Sequence, residues 1–390
     1  MKSSNKISKL SEIITPAFDR RNIPTIFLAD IPSVVQAGYG CKQKRFWYSE
    51  INAVPGYKLS SNKEATLALL RQAHIPVAKG FACDKAEEIS EILTSLKYPL
   101  VVKPATGTYG GQGVAVNLQT ENEVKKCFQT AIKLSRKVLI EEFIPGDDYR
   151  VLVLGGKVIA AAKRTPAAIT TDGKTSINDL IESENIRRSK ITGFAKNTQR
   201  VIKIDETTNR ALEIQGYNLK SVPPAGEKIL VRLNANISTG GESHNVTDIV
   251  HPKTKEICRR AARLIGLEIA GIDIITTDIS QPLETNGGRI IEINNCPGLT
   301  LHIFPNHGDS IDVPKIIANY LVPDPKEAWI PITINQKNCT DSREVEKHYH
   351  DLPQKVVQIS SPEKEKTITK PEFPVLIYLL DPLTKAIDIN

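Results

Sequence analysis

The sequence predicts an α+β fold. Segments with the β-branched content of strands alternate along the chain with segments that have the apolar spacing of amphipathic helices. The chain has 390 residues, of which 40% are hydrophobic and 24% are charged. This is ordinary globular composition, and the length suits roughly two or three domains. We therefore expect a folded protein in which helices pack on several sheets.

The N-terminal half contains the first alternations. IPTIFLAD is typical of a strand, and SNKEATLALLRQAHIPV has the pattern of an amphipathic helix with Ser61 or Asn62 as its N-cap. A second helix is predicted over residues 86–96. The strand YPLVVK follows, then a third helix over residues 121–134 and the short strand VLIEEFI.

A β-hairpin is predicted in YRVLVLGGKVIAAAKR, because Gly155 and Gly156 can both adopt positive φ in a two-residue turn. A long excursion follows, over residues 165–226. ICRRAARLIGL then predicts a helix that ends near Gly266, and AGIDII with GRIIEIN predicts a second pair of strands.

Composition argues against several classes of protein. No stretch approaches the roughly 18 apolar residues of a membrane span, and the N-terminus has no signal-peptide core. The net charge of +7, with 5% aromatic residues, is too mild to predict nucleic-acid binding. The cysteines are scattered singly, so we expect reduced thiols in a cytoplasmic protein rather than a zinc site or disulfides. They are Cys41, Cys83, Cys127, Cys258, Cys296 and Cys339.

Three oxygen-bearing side chains point to a metal site. Glu292 and Asn294 are two apart in IIEIN, so on a strand they project to the same face. If the preceding strand pairs antiparallel, Asp273 can lie opposite them. Such hard oxygen ligands suit Mg²⁺. The alternative is a solvated polar face with an Asx turn before Pro297.

Four cations lie at the ends of predicted elements. Lys103 ends an apolar strand, where burial is costly unless it meets an anion such as a phosphate. Lys63 lies in the first turn of its helix, which is unfavourable for the helix dipole. Arg232 and Lys163 are further strand-end cations. Lys63 could instead be an ordinary solvent-exposed residue, and Arg232 and Lys163 could instead pair with surface carboxylates.

A glycine-rich loop, KPATGTYGGQGV, directly follows the strand YPLVVK. Its glycines fit neither a P-loop nor G-x-G-x-x-G. The later stretch VLIEEFIPGDDYRV could present its backbone and Glu141 to an adenine edge, with Asp148 reaching a ribose. A charged edge strand explains that stretch equally well.

Taken in order, these features resemble the ATP-grasp superfamily, in which two α+β subdomains close on ATP. The order matches that of carboxylate–amine ligases such as D-alanine:D-alanine ligase. The resemblance implies ATP and Mg²⁺, or Mn²⁺, as cofactors, with Arg232 and Lys163 as catalytic cations. It implies nucleotide binding by Lys63, Lys103, Gly107, Gly110, Gly111, Gly113, Glu141, Glu142, Ile144 and Asp148, and metal binding by Asp273, Glu292 and Asn294.

Within that superfamily the chain most resembles the ATP-grasp domain of cyanophycin synthetase. The similarity lies in VVQAGYGCKQKR, GDDYRVLVLGGKVIAAAKRTPA, VRLNANISTGG and EINNCPGLTLH. It implies a pre-ATP-grasp segment over residues 1–60, an ATP-grasp domain over 61–322 and a C-terminal extension over 323–390. The family's Mur-ligase-like domain has no counterpart here, because no glycine follows Gly308, and the extension is interpreted as its degenerate remnant. Asn306 and His307 stand where the family tends to have serine and an acidic residue, so the resemblance leaves the acceptor unassigned.

The resemblance implies ATP-dependent amide ligation through an acyl phosphate, with an amino acid such as aspartate added to a peptide or amino-acid carboxylate. Two alternatives remain open: a glutathione-synthetase-like ligase, and a non-catalytic nucleotide-binding regulator or partner subunit. The expected partners are small-molecule or peptide substrates, without nucleic acid or membrane. Whether the chain forms a homo-oligomer is left open.

Overall fold

The structure is a computed structural model that describes residues 9–28, 31–38, 43–47, 51–107, 112–328, 330–335, 355–360, 365–370 and 374–380. Its helices are α1 Lys9–Asp19, α2 Val54–Ser60, α3 Lys63–Gln72, α4 Ile89–Leu93, α5 Glu121–Ala131, α6 Ile177–Ser189, α7 Glu206–Ile214, α8 Pro252–Ile265, α9 Leu283–Asn286, α10 Thr300–Ile303 and α11 Val313–Leu321.

The strands are β1 Thr25–Leu28, β2 Ile31–Ala37, β3 Lys44–Trp47, β4 Gly80–Cys83, β5 Leu100–Pro104, β6 Ala115–Leu118, β7 Val138–Glu142, β8 Asp147–Leu154, β9 Lys157–Thr165, β10 Ala168–Thr170, β11 Lys228–Leu230, β12 Glu242–Asn245, β13 Ile269–Thr276, β14 Arg289–Asn294, β15 Ile330–Asn335, β16 Lys355–Ser360, β17 Glu365–Lys370 and β18 Pro374–Leu380.

Contacts divide the chain into two units, one of residues 49–313 and one of residues 1–48 with 314–390. The second of these contains an antiparallel sheet in the order β1-β2-β3 and a mixed sheet in the order β15-β18-β16-β17. The predicted strand IPTIFLAD corresponds to β1. The domain boundaries at residues 60 and 322 are untested and remain a prediction from the sequence.

The unit of residues 49–313 is built on two antiparallel sheets, in the orders β4-β7-β5-β6 and β12-β9-β8-β13-β14. The smaller sheet buries Val102 and Ile140 against Val124 and Phe128 of α5. Antiparallel sheets with helices packed against them confirm the predicted α+β class.

One face of the five-stranded sheet packs on helices α3 and α8. Alternate strand residues, including Val151 and Ile272, are buried there with Leu70 and Ile257. Helix α8 ends at Ile265 and is capped by Gly266, whose φ of 81° is left-handed, which confirms the predicted end near Gly266. The opposite face of the sheet buries Leu152 and Ala162 and also carries the charged side chains of Arg150 and Asp273.

The predicted hairpin is confirmed. Strands β8 and β9 pair antiparallel, and Leu154 faces Lys157 across the turn. Gly155 and Gly156 have φ of 53° and 69°, values that favour glycine. The turn therefore fixes the register that places charged residues at the far ends of both strands.

The structure confirms one predicted helix and shortens another. Helix α3 begins at Lys63, and Asn62 is its N-cap, accepting a hydrogen bond from the Ala65 N–H at 3.1 Å. The helix predicted over residues 86–96 is shorter, with a 3₁₀ turn followed by α4. Its last residues make bonds from i to i−3, such as Leu96 N to Leu93 O, so the chain tightens and leaves the α-helix after Leu93.

The excursion over residues 165–226 is folded. Strands β10 and β11 pair antiparallel, and helices α6 and α7 contribute Ile181 and Leu212 to a buried cluster with Ile169 and Ile229. Cys83 and Cys258 are buried free thiols. None of the helices in the described ranges is both long and apolar enough to cross a membrane.

Candidate active site

The predicted metal ligands share one face of the five-stranded sheet. Strands β13 and β14 pair antiparallel with Asp273 opposite Glu292 and Gly271 opposite Asn294. Because paired residues project to the same side, the three side chains lie together on the face opposite α3 and α8. The Asn294 amide also donates to Gly271 O at 3.4 Å. The register expected from the sequence is therefore confirmed, whereas metal binding stays a prediction.

Lys63 reaches this carboxylate row from α3. Its Nζ lies 3.0 Å from Glu292 Oε1. The start of α3 is anchored to the end of β5, since the Lys63 N–H donates to Ala105 O at 3.2 Å. A lysine in the first turn is unfavourable for the helix dipole but here meets a carboxylate, which offsets that cost.

Lys103 approaches the same strand from the smaller sheet. Its Nζ lies 2.5 Å from Glu141 Oε1 and donates to Ile291 O at 3.3 Å. Both side chains are buried, at 8% and 4% exposure. Glu141 Oε2 is buried without a hydrogen-bond partner. A buried acceptor without a donor favours a ligand that brings one, such as an adenine amino group.

Asp273 belongs to a cluster of four charged side chains with Arg150, Arg164 and Asp148. Arg150 makes two hydrogen bonds to its carboxylate, and Arg164 Nη2 lies 3.0 Å from Asp273 Oδ2. Arg164 also donates to Asp148 Oδ1 at 2.6 Å. Burial by itself raises the pKa of Asp273, but Arg150 and Arg164 outweigh it and hold that pKa below its ordinary value. Asp273 is therefore ionised and fixed in position.

The pKa of Asp148, the predicted ribose ligand, shifts in the opposite direction from that of Asp273. Burial raises the pKa of Asp148, and the Asp273 charge adds to this, although Arg164 acts in the opposite direction. Arg150 is a further site residue, which was not predicted from the sequence. The available signal was its spacing, because Arg150 lies two residues after Asp148 on the same strand and thus on the same face.

The two predicted catalytic cations, Lys163 and Arg232, each pair with a carboxylate other than the predicted metal ligands. Lys163 pairs with Tyr149, a residue of the core against α8, so it projects to the face opposite Asp273. Its Nζ lies 2.6 Å from Asp147 Oδ2. Arg232 is 4% exposed and contacts both carboxylate oxygens of Asp205, at 2.7 and 2.8 Å. Arg232 Nε is buried without a partner.

The glycine loop is described at its two ends. Gly107 and Gly113 have φ of 77° and 71°, so both ends use a backbone conformation that favours glycine. Gly110 and Gly111 lie outside the described residues. Beside the loop, the Thr106 N–H donates to Ser135 Oγ at 3.2 Å.

The predicted adenine segment continues from β7. The amide of Glu142 donates to Lys79 O and that of Phe143 to Pro99 O, both at 2.9 Å. The Glu142 side chain accepts from the Lys97 amide at 3.1 Å. Ile144, which follows, is half-buried. These bonds hold the segment in place next to Glu141.

His302 is a polar residue that the sequence analysis missed. It lies on α10 with 2% exposure, and both ring nitrogens lack hydrogen-bond partners. Burial lowers its pKa to about 3, with added effects of Arg150 and Arg164. The imidazole is therefore neutral at ordinary pH. Nothing in the local sequence PGLTLH distinguishes this residue from a surface histidine.

Comparisons with known proteins identify similar families and folds. The family described as ATP-grasp domain matches residues 68–154. The chain is 35% identical over 325 residues to the cyanophycin synthetase of Trichormus variabilis, which covers 83% of this chain and 36% of that protein. It is 32% identical over 254 residues to the glutathione biosynthesis bifunctional protein GshAB of Clostridium perfringens, covering 65% of this chain and 32% of that protein.

Among solved structures, the bifunctional glutathione synthetase of Pasteurella multocida superimposes with a TM-score of 0.61 at 24% identity. The superposition covers 82% of this chain and 44% of that one, and it supports the fold. The chain spans less than two fifths of the length of the curated relatives it matches.

Proposed function

Because this chain belongs to the ATP-grasp superfamily, we propose that it is an ATP-dependent ligase that joins a carboxylate to an amine through an acyl phosphate. The observation that carries the proposal is the meeting of two lysines at strand β14. Lys63 contacts Glu292, and Lys103 contacts Glu141 and the carbonyl of Ile291. Cations and carboxylates that are far apart in sequence thus converge on one strand.

The proposed reaction has two steps. The substrate carboxylate attacks the γ-phosphorus of ATP, forming an acyl phosphate and releasing ADP. The amine then attacks the acyl carbon, and phosphate leaves with an oxygen of the original carboxylate. Both steps require positioning and neutralisation of charge rather than a protein nucleophile.

Nucleotide binding is assigned to the residues between α3 and β8. Lys63, Lys103 and the glycine loop neutralise and hold phosphates. The buried, unpartnered Glu141 Oε2 accepts from the adenine amino group, beside the backbone of Glu142 and Ile144. Asp148 accepts hydrogen bonds from ribose hydroxyls.

The residues fit a hard divalent ion. Asp273, Glu292 and Asn294 offer oxygen donors on one face of the sheet, which is the donor chemistry of Mg²⁺ and of Mn²⁺. Bound by these residues, such an ion would neutralise phosphate charge. Arg150 fixes the orientation of the Asp273 carboxylate, and Lys63 does so for Glu292.

Arg232 is assigned to the transferring phosphoryl group or the tetrahedral intermediate. It has a buried Nε without a partner and a guanidinium oriented by two hydrogen bonds to Asp205. We assign Lys163 the weaker role of a cation at the end of β9, because its ammonium pairs with Asp147 on the opposite face of the sheet.

The substrates proposed are a peptide or amino-acid carboxylate and an amino acid such as aspartate, by analogy with the cyanophycin synthetase relatives. The same proposal places the ligase in the cytoplasm without nucleic-acid or membrane partners, and a homo-oligomer is compatible with it. The extension over residues 323–390 is proposed as a remnant of a Mur-ligase-like domain. Asn306 and His307 are proposed to alter acceptor choice.

A glutathione-synthetase-like activity is the second candidate, favoured by the similarity to GshAB and to the bifunctional glutathione synthetase. A screen of ADP release over amino acids and short acidic peptides, with γ-glutamylcysteine plus glycine as the rival pair, tests both. Release that requires an acidic peptide and an amino acid together, with product mass equal to their sum minus water, supports the first candidate. Release only with the rival pair supports the second.

A further inference from the structure

Two histidines and a glutamate meet at the edge of the five-stranded sheet. Glu242 and His244 are two apart on the edge strand β12 and therefore project to the same face. The backbone of His307 forms a parallel β-bridge with that of His244, and the His307 backbone N–H donates to Ser243 O at 3.1 Å. The two imidazole rings stack with centroids 4.2 Å apart. The backbone thus holds all three side chains together.

The donor atoms of the three side chains lie near the spacing that one shared ion requires. They lie within 4.8 Å of one another, and His307 Nε2 is 3.2 Å from Glu242 Oε2. Two donors each about 2.1 Å from a zinc ion are at most about 4.2 Å apart. A small contraction is therefore needed, and the His307 side chain, 56% exposed, is able to rotate to achieve it.

The glutamate is already oriented by a buried partner. Arg188 is 1% exposed, and its Nη2 lies 3.2 Å from Glu242 Oε1, on the opposite side of the carboxylate from His307. Arg188 is itself fixed by the carbonyls of Arg200 and Gly240, at 2.9 and 2.7 Å. Ligating carboxylates in metal sites are supported in this way by outer hydrogen bonds.

This cluster is separate from the proposed nucleotide site. His244 pairs with Lys163, Lys163 with Tyr149, and Tyr149 with Ile274. All of these project to the face opposite Asp273, since Ile274 is its neighbour on β13. Strand β12 is also three strands from β13, about 14 Å across the sheet. An ion here would not be the one that binds ATP.

We propose that Glu242, His244 and His307 form a binding site for a divalent transition-metal ion of the Zn²⁺ type. Two imidazoles and one carboxylate match the ligands of zinc sites with three protein ligands, in which water or a substrate group takes the remaining position. Mg²⁺ prefers oxygen ligands and is excluded by this donor set. The bound ion ties His307 to β12 and stabilises the chain segment between α10 and α11.

The test is metal binding by the full chain without a polyhistidine tag. Zn²⁺ is titrated calorimetrically near neutral pH, and Co²⁺ is titrated optically to report the ligand type. The wild type should bind about one ion per chain, without cobalt–thiolate charge-transfer bands. His244→Ala and His307→Ala should each weaken binding by about a hundredfold or more, since even loss of an outer-shell partner costs about 10–100-fold.

His251→Asn is the matched control. His251 caps α8 outside the cluster by accepting from the Lys253 N–H, and asparagine retains that capping ability. The affinity of the His251→Asn variant for Zn²⁺ should equal that of the wild type. Circular dichroism should show that His307→Ala, an exposed substitution, remains folded. Absence of stoichiometric binding in the wild type, cobalt–thiolate bands, or unchanged affinity in both cluster variants would each overturn the proposal.

Discussion

Lys103 and Glu141 form a buried ion pair across the adjacent strands β5 and β7, with Nζ 2.5 Å from Oε1. Lys103 pairs with Leu139 and Glu141 with Val101, so the two side chains are diagonal neighbours on one face of the smaller sheet. The lysine also contacts Ile291 O. The pair thus connects the two sheets that the proposed nucleotide site requires.

This pair should have separable effects on stability and on nucleotide binding. Glu141→Gln and Lys103→Met each leave a buried charge unpaired and should lower the free energy of unfolding by about 3–5 kcal/mol. The double variant Lys103→Met/Glu141→Leu should recover most of that loss but still bind ATP weakly. Urea denaturation and ATP calorimetry measure the two effects. ATP affinity restored in the double variant would refute the binding role.

Glu292 should be needed for turnover more than for folding. Glu292→Gln removes a charged metal ligand and should lower the rate of ADP formation on the order of a hundredfold or more. The matched control is Glu64→Gln, which breaks the exposed pair with Lys137 at 3.0 Å and should have little effect on rate or stability. Equal rates for the two variants would contradict the metal assignment.

Substitutions of the two partners in the Arg232–Asp205 ion pair distinguish a catalytic role of Arg232 from a structural one. Arg232→Lys and Asp205→Asn both break the bidentate contact, but only the first removes the planar guanidinium. Asparagine also preserves the N-cap of α7 that Asp205 provides. The rate of ADP formation should fall on the order of a hundredfold in Arg232→Lys and far less in Asp205→Asn. Similar losses in both would indicate a structural role for Arg232.

His302 should make the fold sensitive to acid. Its pKa is about 3 in the folded protein and near 6.5 when unfolded, so between these values the unfolded chain binds more protons. Stability is unaffected above about pH 6.5 and falls as the pH decreases toward 3, with a loss of about 2 kcal/mol by pH 5.

His302→Leu should remove this part of the pH dependence. Denaturation midpoints are compared with those of the wild type near pH 7 and pH 5, and His251→Asn again serves as the histidine control. An unchanged slope in His302→Leu would mean that another group titrates over this interval.

Local pattern was sufficient to predict much of the fold. The two-residue spacing of Glu292 and Asn294 and the double glycine of the β8–β9 hairpin each depend on neighbours in sequence. The N-cap at Asn62 is equally local. Such features are fixed by strand alternation, turn conformation and capping, so the sequence alone indicates them.

The ion pairs of the site could not be predicted in this way. The clamp of Arg150 and Arg164 on Asp273 depends on the register between strands more than a hundred residues apart in sequence. That same register decides that Arg164, and not its neighbour Lys163, projects to the face of Asp273. The burial of His302 depends on how α10 packs. Each of these is a property of tertiary pairing rather than of local composition.

The most direct test of the proposed ligation follows the oxygen of the substrate carboxylate. A carboxylate substrate identified by ADP release is labelled with ¹⁸O and incubated with ATP, the amine and the enzyme, and the released phosphate is analysed by mass spectrometry. Transfer of one ¹⁸O atom to phosphate is the predicted result, because the acyl phosphate retains a carboxylate oxygen on phosphorus. Phosphate without ¹⁸O, or ATP bound without ADP formation for every substrate pair, would contradict ligation and favour a non-catalytic nucleotide-binding protein.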